Sequence, residues 1–143
     1  MRRALAIEEK SFGPEHPNVA RGLNNLALLL SDTNRLAEAE PLLRRALAID
    51  EKSFGPEDPN VATVFNNLAG LLHATNRLAE AEPLFRQVLR ILAEFGHRTG
   101  HEHPHFRTAI TNYTGLISAM GLSQDAIAAR VRSAIEGGPE ESA

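Results

Sequence analysis

The spacing of apolar side chains predicts a chain built of α-helices. From Pro17 onward, leucines and other apolar residues recur every three or four positions, which places them on one side of a helix. Proline favours the first turn of a helix, and Thr33 and Asn34 favour its end because asparagine tolerates a left-handed turn conformation. A second apolar stripe begins at Leu36 and stops before Gly55. The pattern therefore predicts a hairpin of two helices.

This hairpin is repeated along the chain. Residues 2–44 and 44–86 align at an offset of 42 residues and are identical at 34 of 43 positions. A fixed period in this range indicates stacked supersecondary units, each of which buries its apolar face against the next one. A third unit begins at Pro104, three residues later than the period predicts. Its last helix, capped by Ser123, carries charges that interrupt its apolar face and is typical of a terminal cap.

We expect one array at residues 1–136, followed by a disordered tail at 137–143. The predicted parts of the array are a leading helix at 1–12, a first repeat at 17–54, a second repeat at 59–95, and a divergent third repeat with its cap at 103–136. The leading helix matches the second helix of a repeat, but no first helix precedes it. The sequence favours either a piece of a longer array or a helix face that another chain covers.

The pattern of small and large residues resembles a known repeat family. The positions that carry it in the first repeat are Leu26, Ala27, Leu30, Asn34, Leu36, Ala39, Leu43 and Ala46. They resemble the tetratricopeptide repeat, whose usual period is about 34 residues. The longer second helix, and the segments NNLA, AEAEPL, RALAI, FGPEHPNVA and FGPEDPNVA, resemble the kinesin light chain type of this repeat.

This resemblance implies both a fold and a mode of action. The fold is an all-α, right-handed superhelical solenoid of antiparallel helix hairpins, here with a 42-residue period and about seven helices. The first helices of the repeats would line a concave groove that binds an extended peptide segment of a partner protein. Similar arrays in bacterial proteins are often the recognition part of a larger signalling chain, which would account for the abrupt start.

Differences between the two near-identical copies point to a candidate binding surface. Of the six positions at which the first helices differ, those at 21, 28, 31 and 32 fall in one arc of roughly 100 degrees. The resemblance implies that this arc faces the groove. The predicted groove residues are Arg21, Asn24, Leu28, Ser31, Asp32, Thr63, Asn66, Gly70, His73, Thr108, Thr111 and Asn112.

Asparagines in this surface are candidates for hydrogen bonding to the main chain of a bound peptide. The amide of an asparagine offers donors and an acceptor, so Asn24 and Asn66 could pair with the backbone of a peptide of any sequence. The alternative is that they bind neighbouring helices within the array, and the sequence leaves both roles open. For Asn25 and Asn67, which lie nearer the core side, we expect bonds within the array.

Composition excludes several other roles. The formal net charge of −3 gives no broad basic field, so neither nucleic acid nor a membrane surface is an expected partner. The chain has no cysteine, which excludes disulfides and is compatible with a reducing compartment, and we expect a cytoplasmic location. No phosphate-binding G-x-x-x-x-G-K segment occurs. Residues 101–105 match H-E-x-x-H, but they are not within a predicted helix, because the third unit begins only at Pro104. We therefore expect no enzymatic activity and no cofactor.

Two alternatives to peptide binding remain. The leading helix could make the array self-associate, so that scaffolding by a homo-oligomer is its purpose. A metal such as zinc could bind the segment 97–105, which holds four of the six histidines. Against a metal, His103 and Pro104 occupy the place of His16 and Pro17, which indicates an ordinary connection between repeats.

Overall fold

The protein is a stack of helical hairpins. A computed structural model describes residues 2–13 and 15–136, and these ranges hold seven α-helices and no β-strand. The helices are α1 (Arg2–Phe12), α2 (Pro17–Asp32), α3 (Leu36–Phe54), α4 (Pro59–Ala74), α5 (Leu78–Thr99), α6 (Phe106–Ala119) and α7 (Gln124–Glu136). The prediction of an all-α array of hairpins is confirmed. The predicted tail, residues 137–143, lies outside the described residues.

The first helices of the two copies begin on the same local structure. Nδ1 of His16 accepts a hydrogen bond from the backbone N–H of Asn18 at 3.0 Å. In the second copy Oδ1 of Asp58 accepts from the backbone N–H of Asn60 at 2.8 Å. Each cap satisfies a donor of the first helical turn that has no partner within the helix, and a proline follows each cap directly. Different side chains therefore perform the same capping role.

Helix α5 is longer than the sequence pattern predicts. The second repeat was expected to end at Phe95, but the helix continues to Thr99 and ends at Gly100, whose φ of +75° is left-handed. Gly96 does not stop the helix, since an interior glycine costs only about 1 kcal/mol. The Thr99 hydroxyl donates to the Phe95 carbonyl at 2.8 Å and reinforces the added turn. His97 consequently lies on a helix and not in the connection.

A continuous apolar core runs between the helices. The largest side chains that are fully buried include Leu23, Leu43, Leu68, Leu72, Leu89, Tyr113 and Leu116. They come from α2 to α6, and Ile127 and Ala134 bring α7 into the same core. Each hairpin thus buries its stripe against its neighbours, as the period predicts.

A buried polar cluster ties the last three helices together. The hydroxyl of Tyr113 on α6 donates to Oε1 of Glu82 on α5 at 2.8 Å. The guanidinium of Arg130 on α7 lies 3.4 Å from the same oxygen, and that of Arg86 lies 3.6 Å from Oε2. Burial, followed by the hydrogen bond to Glu82, raises the pKa of Tyr113. The phenol therefore stays protonated and acts as the donor.

The first helices α2, α4 and α6 form one row along the stack. The backbone of α2 comes close to that of α4, and α4 comes close to α6, whereas α3 and α5 do not approach each other in this way in the described part of the chain. Among the other second helices, α5 packs against α7. None of the described helices combines the length and the apolar character needed to cross a bilayer.

Candidate functional site

Most of the predicted groove residues lie around two cavities beside the first helices. A cavity of about 200 Å³, here called the inner pocket, lies between α4 and α6. A cavity of about 510 Å³, here called the wide cavity, is bordered by α2, α4 and α6. The predicted residues in the inner pocket are Thr63, Asn66, Thr108 and Asn112. Those in the wide cavity are Leu28, Ser31, Asn66, Gly70, His73, Thr111 and Asn112.

Three predicted groove residues lie outside both cavities. Arg21 is exposed, and its guanidinium donates to Oδ1 of Asn18 at 3.3 Å. Asn24 is half-buried beside α4, and Asp32 is exposed as the last residue of α2. The structure therefore brings nine of the twelve residues to the two cavities and leaves these three at or beyond their edge.

Asparagine side chains connect successive first helices. Nδ2 of Asn67 donates to Oδ1 of Asn24 at 2.8 Å, which links α4 to α2. Nδ2 of Asn112 donates to Oδ1 of Asn66 at 3.2 Å, which links α6 to α4 in the same way. The prediction that Asn67 bonds within the array is confirmed. Asn24 and Asn66 use their oxygens within the array, and their own N–H groups form no hydrogen bond with the described residues.

The expectation for Asn25 is wrong. It is exposed, and no hydrogen bond joins its side chain to residues 2–13 or 15–136. Its counterparts Asn67 and Asn112 both reach back to the preceding first helix. No first helix occupies that position beside α2 in the described residues, so the amide of Asn25 has nothing to bind there.

Two glycines leave space in the floor of the wide cavity. A Cβ atom added at Gly70 or at Gly115 would meet no other atom within 4 Å. Gly70 stands where the first copy carries Leu28, an exposed leucine that lines the same cavity. The middle of the cavity is therefore open, because Gly70 has no side chain where the first copy has a leucine.

The histidine segment runs from the end of α5 to the residue before α6. Nδ1 of His103 accepts from the backbone N–H of His105 at 3.1 Å, in the manner of His16 and Asp58 in the earlier copies. The ring of His103 packs edge-on against Phe95, with 4.9 Å between ring centres. Burial, followed by the charge of His105, lowers the pKa of His103 and favours the neutral ring that can accept this bond. Both imidazoles also line the inner pocket.

A metal centre finds no support in the described part of the chain. No group of three or more histidine, cysteine, aspartate or glutamate side chains in residues 2–13 and 15–136 is arranged to hold a metal ion. Of the four histidines in the segment, His97 lies on α5, and His103 accepts the backbone N–H of His105 in the turn before α6. Residues 101–105, which match H-E-x-x-H, lie outside the helices and so do not present two histidines on one helix face. The rings of His103 and His105 lie 5.4 Å apart, but no third side chain joins them to form a metal site in the described part of the chain.

Asp50 is a buried acid that the sequence pattern did not single out. It lies on α3, only 8% of its surface is exposed, and it forms no hydrogen bond or ion pair with the described residues. Burial, followed by the negative charge of Asp58, raises its pKa from 3.8 to about 6. The signal was present in the alignment of the repeats, because the corresponding position in α5 is Leu92.

Comparison with known proteins agrees with the geometry. The family model of the tetratricopeptide repeat matches residues 1–52 and 23–94. The chain belongs to the tetratricopeptide repeat family. Comparison with curated proteins gives no significant match.

Solved structures with similar folds are also repeat arrays. BtubC (BKLC) from P. vanneervenii is 25% identical, with a TM-score of 0.75 over 99% of this chain and 59% of that one. A putative kinesin light chain from Podosopora anserina with nearly identical TPR-like repeats is 20% identical, with a TM-score of 0.58 over 93% and 82% of the two chains. A form of that protein with a single substitution is 21% identical, with a TM-score of 0.59 over the same shares.

These likenesses agree with repeats of the kinesin light chain type. The two Podosopora structures, at their level of identity, support the fold alone. The present chain spans about three fifths of the length of BtubC. Tetratricopeptide repeats as a class mediate interactions between proteins.

Proposed function

We propose that this array binds an extended segment of a partner protein along α2, α4 and α6. The observation that supports this most directly is the pair of adjoining cavities, which share Asn66, Asn67 and Asn112. An extended chain can pass from one cavity to the other over this row of amides. Nine of the residues selected from the sequence line that path.

Main-chain recognition would come from the half-buried asparagines. The amide groups of Asn24 and Asn66 are held in place because their oxygens accept bonds from the next repeat. Their N–H groups remain available to carbonyls of a bound peptide, and such bonds do not depend on the peptide's side chains. A fixed donor loses less conformational entropy on binding than a mobile one.

Side-chain selectivity would come from positions at which the repeats differ. Leu28 and Gly70 give the wide cavity a filled end and an open middle. Ser31 and His73 stand at corresponding positions and offer a hydroxyl in one repeat and an imidazole in the next. The two repeats therefore present different surfaces to successive residues of a segment.

Filling the wide cavity from within the protein tests this proposal. Gly70→Leu places there the residue that the first copy carries, and the open space means that the fold should tolerate it. The probe is a set of peptides selected on the native array from a random dodecapeptide display library and measured by fluorescence anisotropy. We expect binding at least about tenfold weaker, a loss of about 1.4 kcal/mol.

Gly70→Ala is the matched control. It removes the same glycine but adds only one methyl group, so we expect nearly native affinity together with a slightly higher free energy of unfolding. Native affinity in the leucine variant, with helicity unchanged, would count against the groove.

A second candidate function is self-association through the open N-terminal face. Ile7 on α1 and Leu29 on α2 are both largely exposed, and Asn25 lies on the same open side of the stack. If scaffolding is the role, light scattering should show a mass that rises with concentration, and Ile7→Glu should abolish the rise. A monomer at all concentrations would remove this candidate and leave peptide binding.

A further inference from the structure

The junctions between successive first helices use equivalent positions but different chemistry. At the α4–α6 junction, Leu92 lies in the floor of the inner pocket and His103 lies at its border. The equivalent positions at the α2–α4 junction are Asp50 and Asp58. A buried leucine and an imidazole are thus replaced by two carboxylates in an otherwise similar setting.

Asp50 has no partner among the described residues that would offset its burial. A carboxylate that is more than nine-tenths buried normally has an ion pair or several hydrogen bonds. Within the described residues Asp50 has neither, and the nearest charge that acts on it is the like charge of Asp58. Arg21, a cation on the neighbouring helix α2, is bonded to Asn18 instead.

Asp58 contributes a second oxygen to the same place. Its Oδ1 accepts from the backbone N–H and from the side-chain amide of Asn60, both at 2.8 Å. Its Oδ2 forms no hydrogen bond with the described residues. One oxygen of Asp58 is therefore fixed by the helix cap while the other is left for a ligand.

The carboxylate of Asp50 is still reachable from solvent. Among the described residues, the one side-chain oxygen that is fully enclosed and lacks a hydrogen bond is Oε2 of Glu8. The oxygens of Asp50 are unbonded but are not enclosed in that way. Asp50 occupies the position of Leu92, which lines the inner pocket, and from this equivalence we infer that the accessible side of Asp50 lies at the α2–α4 junction.

We propose that the α2–α4 junction is a cation subsite, in which Asp50 and Asp58 bind a lysine or arginine side chain of the segment held in the groove. This inference rests on the proposed function and adds the chemistry of the partner to it. A charged donor between two carboxylates forms the stronger, charge-assisted kind of hydrogen bond. It also offsets the repulsion between the two acids, which no group among the described residues does.

The spacing of the junctions then predicts a sequence pattern in the partner. Packed helices lie about 8–10 Å apart, and an extended chain advances about 3.3 Å per residue. A basic side chain at the α2–α4 junction would therefore be followed, about three residues away, by an uncharged one at the inner pocket. No described lining residue of that pocket is acidic, which fits the absence of a second basic position.

Peptide selection on matched variants tests the subsite. The native array and Asp50→Leu, which copies Leu92, are each screened with the random dodecapeptide library. We expect lysine or arginine to dominate one position only on the native array. We further expect the best such peptide to bind Asp50→Leu at least about tenfold more weakly, with a salt dependence that is lost in the variant.

Two further variants keep the test independent of folding. Asp58→Asn removes a charge but retains a good helix cap, and we expect it to weaken the same peptide several-fold. Glu57→Gln is the control, since Glu57 is exposed and lies 3.5 Å from Arg90 away from the groove. We expect it to leave binding unchanged.

The outcomes separate this inference from the proposed function. Selected peptides without a basic position, or equal binding of the lysine peptide by Asp50→Leu and Asp58→Asn, would overturn the cation subsite while the groove stands. Failure of the native array to enrich any peptide, or binding that Gly70→Leu does not alter, would overturn the groove and the subsite with it.

Discussion

The first and second repeats have almost the same sequence, yet identical side chains meet different surroundings in them. Leu29 is 48% exposed, whereas its counterpart Leu71 is 4% exposed. The leading helix shows the same effect, since Ile7 is 60% exposed whereas Ile49, at the equivalent position of the first repeat, is 5% exposed. The second repeat has neighbours on both sides, and the first lacks a first helix before α2 in the described residues. Burial in this protein is therefore a property of the stack and not of the residue.

The same comparison holds for polar residues. Glu40 pairs with Arg44 at 3.0 Å and with Arg77, in a partly exposed position. Its counterpart Glu82 is 7% exposed and accepts from the hydroxyl of Tyr113. The difference arises because α7 packs against α5, whereas no corresponding helix of the described part packs against α3. Identical residues thus carry a surface ion pair in one repeat and a buried network in the next.

The largest expected effect comes from paired leucine truncations. Leu71→Ala should lower the free energy of unfolding by about 2–5 kcal/mol, because it removes a buried side chain and leaves a cavity. Leu29→Ala removes the same atoms from a half-exposed position and should cost less than about 1 kcal/mol. Chemical denaturation of both variants measures the difference. Equal losses would show that the face beside α2 is covered in solution.

A smaller difference is expected at the paired glutamates. Glu82→Ala leaves the buried hydroxyl of Tyr113 without its acceptor, which should cost about 1–3 kcal/mol. Glu40→Ala removes a partly exposed ion pair and should cost less than about 1 kcal/mol. The readout is again the unfolding midpoint in denaturant. A Glu40→Ala variant at least as unstable as Glu82→Ala would contradict the assignment of the buried network.

The next prediction compares how the free energy of unfolding depends on pH when Asp50, or the equivalent Leu92, is replaced by asparagine. The folded pKa of Asp50, about 6, lies above the unfolded value near 3.8, so the ionised acid destabilises the fold above pH 6. That penalty disappears as the pH falls through about 6 towards about 4. Asp50→Asn should therefore raise the unfolding free energy by about 1 kcal/mol at about pH 8 and by much less at about pH 4.

Denaturation of the native chain and of Asp50→Asn across this pH range measures the effect. Leu92→Asn, at the equivalent position, is the control that introduces an amide where no acid stands, and it should show no such pH-dependent gain. A constant difference between Asp50→Asn and the native chain would contradict the raised pKa.

The smallest expected effect concerns the asparagines. Asn67→Ala breaks the 2.8 Å bond to Asn24 and should cost about 0.5–1.5 kcal/mol. Asn25→Ala alters an exposed side chain and should stay within about 0.5 kcal/mol. Asn66→Ala should weaken selected peptides by about 1 kcal/mol or more with helicity intact. Unchanged peptide affinity in that variant would indicate that Asn66 has only a structural role, through its bond to Asn112.

Much of the fold followed from periodicity. The two hairpins begin and end within a residue or so of their predicted positions, apart from the end of α5, since proline, cap residues and the asparagine turns are local signals. The predicted end of the second repeat at residue 95 is too early, because α5 continues through Gly96 to Thr99. Asn25 was predicted wrongly because its partner position depends on a neighbouring helix.

The candidate site was likewise predicted in part from the sequence, and the rest depended on the tertiary structure. Comparison of two copies of one repeat selected a variable face of the first helices, and nine of the twelve residues proposed there line the two cavities. Their role in binding stays a prediction. Asp50 was missed, because an acid one residue after Ile49 looks in the sequence like any solvated helix residue. Its burial and its lack of a partner among the described residues appear only when α3 is packed against the next hairpin.

The sequence alone determined that this chain is a stack of helical hairpins and which residue types recur in each. Periodicity and capping depend on residues that are close in sequence, so they can be recognised without coordinates. The tertiary structure decided which copy of a residue is buried, bonded or left open. Those properties depend on what stands beside each helix, and that neighbour lies a whole repeat away along the chain.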